Sequence, residues 1–280
     1  VCISNASHPT CYHLVHHLMS GEVFGRDMQI SLKLLTNEED LELVEGMEME
    51  IMDLSLPLVR ETSVTTVASE SLKDTQVIVV LDEVEKNGSE PLKSWLKRNK
   101  DHFENLGKLI NEHADKDVKI IIGGDGPVNY NADIVIKNAP KIPSANIVAL
   151  SRTLENQAKA LISQKLNVNS AEVVDVVVWG DPSTEWSDNF VDICNARVHN
   201  YDGAIWGPPF YSRSCVEMLH DNKWIATEFP QQLQQRRKTT EEMLNHRMTM
   251  SSAASIQTLL KHWCNGSPED QVFSLGVKTD

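Results

Sequence analysis

VCISNASHPTCYHLVHHLM, residues 1–19, opens the chain with a strand, a turn and a helix in that order. Val1–Ser4 is an apolar run that reads as a buried strand. Asn5 follows, one of the few non-glycine residues that accept a left-handed backbone. Pro9 suits the first turn of a helix, where a missing N–H costs no hydrogen bond. Leu14, Val15, Leu18 and Met19 then recur at the spacing of one inward helical face. His13, His16 and His17 fall mostly on the outward side.

The same alternation continues along the first half. Ile30–Leu35, Gln76–Leu81, Val118–Gly123 and Asn146–Leu150 are further runs of Val, Ile and Leu, the composition of parallel strands buried on both faces. Between them, Pro9–Ser20, Asp40–Leu54, Leu92–His113 and Asn131–Lys137 carry helical patterns. Strand and helix in strict turn predict an α/β fold, a Rossmann-type doubly wound parallel sheet. The second half reads differently. Leu154–Leu166 is helical, and Val173–Trp179 is a strong strand with Ala196–Asn200 a weaker one. Trp206–Pro209 is a loop, Thr227–Trp263 a long interrupted helical pattern, and Gln271–Val277 a last strand. The first half thus reads as a doubly wound α/β unit and the second as a more irregular α+β half.

Hydrophobic residues make up 41% of the 280 and charged residues 24%, enough apolar side chain for a real core. A net charge of -14 opposes nucleic acid and anionic membrane surfaces, which select a basic face. The five cysteines lack CxxC spacing and predict free thiols in a reducing compartment, not a zinc site or a disulfide framework. No apolar run reaches the ~18 residues of a membrane span. The chain begins on Val1 within an apolar run, as a segment of a longer polypeptide would.

A series of landmarks adds a resemblance. Val23-Phe24-Gly25-Arg26-Asp27, Glu45-Gly46 with Met49-Glu50 and Asp53, and Leu56-Pro57-Leu58 come first. Ala139-Pro140-Lys141-Ile142-Pro143, Trp179-Gly180, Gln234-Gln235-Arg236 and Phe273-Ser274-Leu275-Gly276-Val277 follow. In order and spacing they are similar to cytosolic-type malate dehydrogenase over nearly the whole length. The resemblance implies an NAD-binding-like Rossmann domain at 1–150, a substrate-domain-like α+β half at 151–280 missing its C-terminal helices, and hydride transfer between malate and NAD.

The positions that the resemblance assigns to chemistry read otherwise. Its Gly-x-x-Gly-x-x-Ala loop is Asn5, His8 and Cys11 here. His8 puts an imidazole in the path of the pyrophosphate, and Pro9 removes an amide from the same helix start. The Asp that holds the adenine ribose is Thr36. The substrate-contacting Asn loop is Gly123-Gly124-Asp125-Gly126-Pro127-Val128-Asn129, in which Asn129 survives behind an insertion. The general base, a His after Trp-Gly-Asn, is Pro182, and its partner Asp is Leu154. Of the arginines that clamp the dicarboxylate, one is Gln157. Two others, flanking Gly88, read Glu85 or Lys86 before it and Pro91 or Leu92 after it. Charge-assisted hydrogen bonds contribute about 1.5–3 kcal/mol each, so their loss weakens substrate binding by roughly 10²–10⁵. Loss of the base costs about another 10²–10⁴ in rate.

These replacements predict no cofactor requirement and no resident metal, NAD being implied only by the resemblance. They predict a non-catalytic relative with protein partners in a larger cytoplasmic assembly, a cytoskeletal or ciliary complex being one such home. The retained Gly46–Asp53 surface corresponds to the twofold dimer contact of the family, so a homodimer is a second expected partner. The competing expectation is an NAD-dependent oxidoreductase acting on a 2-hydroxy acid. His13 and His17 read as a polar helix face, not a metal pair, and Arg236-Arg237-Lys238 as a cationic face for an acidic protein.

Overall fold

The computed structural model describes residues 1–182, 189–199, 212–269 and 271–279, which form two compact units. The first is Val1–Leu150 with Thr249–Gly266 and Gly276–Asp280; the second is Ser151–Met248 with Ser267–Leu275. The first unit thus takes in a stretch that the sequence places in the second half.

The first unit is built on six parallel strands. β1 (Cys2–Ser4), β2 (Ile30–Leu35), β3 (Val59–Thr65), β4 (Val77–Val80), β5 (Lys119–Ile122) and β6 (Ile147–Ala149) lie in the order β3-β2-β1-β4-β5-β6. This is the doubly wound order, whose direction of winding reverses between β1 and β4. All side chains of β1, β4 and β6 are buried, as expected of strands covered on both faces. β3 is the exception. Among the described residues it pairs only with β2, and its Val-Arg-Glu-Thr-Ser-Val-Thr sequence is too polar to read as a buried strand.

Around the sheet run α1 (Pro9–Met19), α2 (Leu41–Asp53), α3 (Ala68–Leu72), α4 (Leu92–His113) and α5 (Val128–Asn138). The predicted inward face of α1 is real: Leu14, Val15, Leu18 and Met19 are at most 3% exposed. Burying each is worth ~1.5–3 kcal/mol. α4 packs on α5 through Gly107, where a Cβ would meet the Cβ of Asn138 at 2.9 Å.

In the second unit come α6 (Arg152–Leu166), β7 (Val173–Val174), β8 (Val177–Trp179), β9 (Phe190–Asp192), β10 (Arg197–His199), β11 (Ser212–Ser214), α7 (Cys215–Leu219) and α8 (Phe229–Leu244). The strands form two small antiparallel sheets, β11-β10-β7 and β8-β9. The predicted strand Val173–Trp179 is broken in two, because Asp175 takes a φ of +59°. Leu154, Ala158, Ile162, Val198, Phe229 and Leu233 share this unit's core.

The long helical pattern stops at Asn245, which caps α8 in the left-handed conformation with a φ of +58°. A new helix, α9 (Met250–Asn265), belongs to the first unit and packs on α1. It buries Ala253, Ile256, Leu259 and Leu260, and Asn265 donates to the carbonyl of Val23 at 2.6 Å. The expected last strand Gln271–Val277 does not form. Ser274 N–H donates to the carboxylate of buried Glu155 at 2.8 Å instead of to a strand, and only Gly276 bridges Ala149. The expected loop Trp206–Pro209 and the end of the expected strand at Asn200 lie outside the described residues.

Candidate functional site

Two places matter chemically, one in each unit. The first is the carboxyl end of the parallel sheet, where open α/β folds bind ligands beside the reversal of strand order.

Asn5 turns the chain from β1 into α1 with a φ of +56°. Its amide donates to the Leu81 carbonyl at 3.1 Å and its side-chain oxygen accepts from Ser7 at 3.1 Å. So asparagine supplies the turn that glycine would otherwise make. His8 caps α1: its Nδ1 accepts the Thr10 N–H at 3.2 Å, and Pro9 follows at the first helical position. The His8 imidazole is buried, and its Nε2 has no hydrogen-bond partner. The Glu83 carboxylate stands 3.8 Å from Nε2. Asp125 joins them; one ligand atom from each of His8, Glu83 and Asp125 lies within 4.8 Å of the others.

No spacing in the sequence connects residues 8, 83 and 125. They follow β1, β4 and β5, which are neighbours only in the folded sheet. The available signal was that each stands just past a buried parallel strand. Glycine at 124 completes the cluster. A Cβ there would stand 2.2 Å from the Asp82 carbonyl oxygen, so only glycine lets the β5–α5 loop run beside the end of β4.

Cys11 is fully buried under this turn, and burial pushes its thiol well above the usual range. Thr36 follows β2; its backbone N–H donates to the Thr65 carbonyl and its buried hydroxyl has no hydrogen-bond partner. Asn129 lies in the first turn of α5 against Gly276, where a Cβ would meet its Oδ1 at 2.1 Å. Glu85 is exposed. Its loop is held by Arg98, which donates to the Glu85 carbonyl at 2.6 Å and to the Glu90 carboxylate at 2.5 Å. Arg98, which stands on α4, is a cation beside that loop which sequence reading did not single out. Asp82 pairs with His102 at 3.0 Å, which raises the imidazole pKa.

The second place is a cavity of about 360 Å³ within the second unit. Leu154 from α6 and Pro182 after β8 both line it, so the structure brings together the two positions that sequence reading paired. Phe190, Ile193, Phe229 and Leu233 complete an apolar wall. Among the described residues lining it there is no imidazole, carboxylate, ammonium or guanidinium; Cys194 is the titratable one. Bonding to Asp192 raises the Cys194 thiol above its ordinary value. Gln157 is not in this lining but is buried in α6. The run Arg236-Arg237-Lys238 is not a bare cationic face, since Arg237 pairs with Glu241 at 3.1 Å and Lys238 approaches Glu242 at 4.0 Å. All five cysteines are free. Among the described residues, no helix is long and apolar enough to cross a membrane.

Residues 10–148 match the family described as lactate/malate dehydrogenase, NAD binding domain. "Putative malate dehydrogenase 1B" of Branchiostoma floridae is 42% identical over 99% of this chain and 52% of its own length. The human protein of that name is 34% identical over 100% of this chain and 52% of its own length. The chain therefore spans about half the length of these curated relatives. Human cytoplasmic malate dehydrogenase is 30% identical, with 100% of this chain and 80% of that protein covered. Among solved structures, Naegleria fowleri malate dehydrogenase aligns with a TM-score of 0.82 at 24% identity, over 94% of this chain and 76% of that one. Trichomonas vaginalis lactate dehydrogenase in complex with NADH and oxamate aligns with a TM-score of 0.87 at 23% identity, over 100% and 80%. These two likenesses establish the fold.

Proposed function

This chain belongs to the malate dehydrogenase family, and we propose that it is a non-catalytic member, a scaffold that works through its surface in a larger intracellular assembly. The observation that carries this reading is the apolar cavity shared by Leu154 and Pro182. Malate oxidation requires a base for the hydroxyl proton while the hydride leaves. Proline and leucine have no proton to exchange, and Gln157 carries no charge for a carboxylate. Base loss alone is worth about 10²–10⁴ in rate.

The carboxyl end of the sheet does not fit a dinucleotide. A pyrophosphate needs converging N–H donors. Pro9 supplies none, the Thr10 N–H is engaged by His8, and the groups beside His8 are the carboxylates Glu83 and Asp125. A phosphate oxygen about 4 Å from an ionised carboxylate is opposed by roughly 4 kcal/mol at an effective dielectric near 20.

An interaction role has support on α2, which presents Leu43, Met49 and Met52 to solvent at 62%, 67% and 59% exposure. Such side chains on one helix suit a protein partner, either a second copy of the chain or another component.

The competing reading, an NAD-dependent oxidoreductase of a 2-hydroxy acid, draws on the match to the NAD-binding domain over residues 10–148. Calorimetry with NADH and an assay of malate-dependent NADH formation separate the two. We expect neither saturable binding nor turnover. Turnover that a substitution in the site abolishes overturns the proposal. Micromolar NADH binding without turnover replaces the scaffold with a nucleotide sensor.

A further inference from the structure

We propose that His8, Glu83 and Asp125 bind one divalent transition-metal cation at the carboxyl end of the sheet. The proposal does not rest on the non-catalytic reading.

Three observations converge. The ligand atoms of the three residues lie within 4.8 Å of one another, and His8 Nε2 is already 3.8 Å from Glu83. Two ligands on one ion at about 2.0–2.2 Å are separated by no more than roughly 4.4 Å, so only small side-chain movements are needed. Second, His8 Nε2 is buried and lacks a hydrogen-bond partner, in a side chain only 6% exposed. A buried polar atom aimed at two carboxylates needs something to satisfy it. Third, the cluster is held by the fold. The turn after β1 places His8 at the start of α1, Glu83 follows β4, and Gly124 brings Asp125 alongside.

The donor set selects the metal. One imidazole nitrogen with two carboxylate oxygens suits zinc or manganese(II) better than calcium or magnesium, which favour oxygen alone. Three protein ligands leave a coordination position open to water or an anion.

The proton balance gives the site a signature. Nδ1 accepts from Thr10 N–H, so in the neutral ring the proton sits on Nε2. Coordination through Nε2 requires the other tautomer. The proton transfers to Nδ1 and the Thr10 hydrogen bond breaks, so metal uptake should speed hydrogen exchange at the Thr10 amide.

The test uses the full chain stripped with chelator, titrated with zinc by calorimetry and with cobalt(II) by its visible spectrum. We expect one equivalent per chain at micromolar affinity or tighter, with faster exchange at Thr10. His8→Asn keeps a cap acceptor and should stay folded, yet weaken binding at least tenfold. Glu83→Gln provides an independent variant that leaves the cap intact and should also weaken it. His13→Ala with His17→Ala should leave binding unchanged. Absence of saturable binding to the unmodified chain overturns the proposal. So does full affinity in both His8→Asn and Glu83→Gln, or loss of binding only in the His13/His17 variant.

Discussion

Gly124 runs so close to Asp82 that a Cβ on the glycine would stand 2.2 Å from the aspartate's carbonyl oxygen. Two loops that follow neighbouring strands thereby share one space. Gly124→Ala forces them apart, and overpacking of this kind costs about 1–3 kcal/mol. Urea unfolding should show a lower midpoint with an unchanged slope. A midpoint equal to that of the unmodified chain would show that the loops yield without strain.

Glu155 is a second point of vulnerability. Its side chain is fully buried, with Lys159 Nζ at 3.0 Å and Arg152 Nη1 at 3.7 Å. Burial already opposes the charged form of Arg152. Glu155→Gln keeps an oxygen for the Ser274 N–H but removes the negative charge beside Lys159 and Arg152. Breaking a buried pair in this way costs on the order of 3 kcal/mol. Thermal unfolding of the variant checks it, and an unchanged midpoint contradicts the assignment.

His102 supplies a dependence on pH. Its hydrogen bond to Asp82 raises the imidazole pKa above its unfolded value near 6.5. The folded state therefore holds the proton more tightly than the unfolded one. The stabilisation is complete below about pH 6.5 and is lost as pH climbs through the raised folded value. The side chain is 43% exposed, so solvent screens the pair. The stability difference between the unmodified chain and His102→Asn should shrink from pH 6 to about pH 9. A difference that grows over that interval reverses the sign and refutes the pairing.

Asn5 and His8 allow a gain-of-binding experiment. The φ of +56° at Asn5 suits glycine without rearrangement, and glycine at a helix cap costs only a few tenths of a kcal/mol relative to the best caps. Combining Asn5→Gly with His8→Gly opens the turn and removes the imidazole. NADH affinity should rise at least about tenfold, equal to ~1.4 kcal/mol. Unchanged affinity would mean that Glu83 and Asp125, rather than the loop, set the barrier to a phosphate.

Much of the first unit was legible because buried parallel strands have a composition of their own. β1, β2, β4, β5 and β6 each stand within an apolar run visible in the sequence. β3 escaped because an edge strand needs burial on one side only. The split at Asp175 escaped because one residue at positive φ leaves the hydrophobic pattern on either side intact. Gln271–Val277 misled for the opposite reason. Its pattern suggests a strand, but Ser274 found a side-chain partner in Glu155.

Residue identity by itself determined which chemical groups this protein possesses: a proline at 182, a leucine at 154 and a histidine at 8 cannot become other than they are. Whether such groups meet is a matter of chain path. Tertiary structure alone decided that Leu154 and Pro182 line one cavity and that His8, Glu83 and Asp125 converge. In a parallel sheet, adjacency follows strand order in space, and the residues just beyond β1, β4 and β5 become neighbours however far apart they lie along the chain.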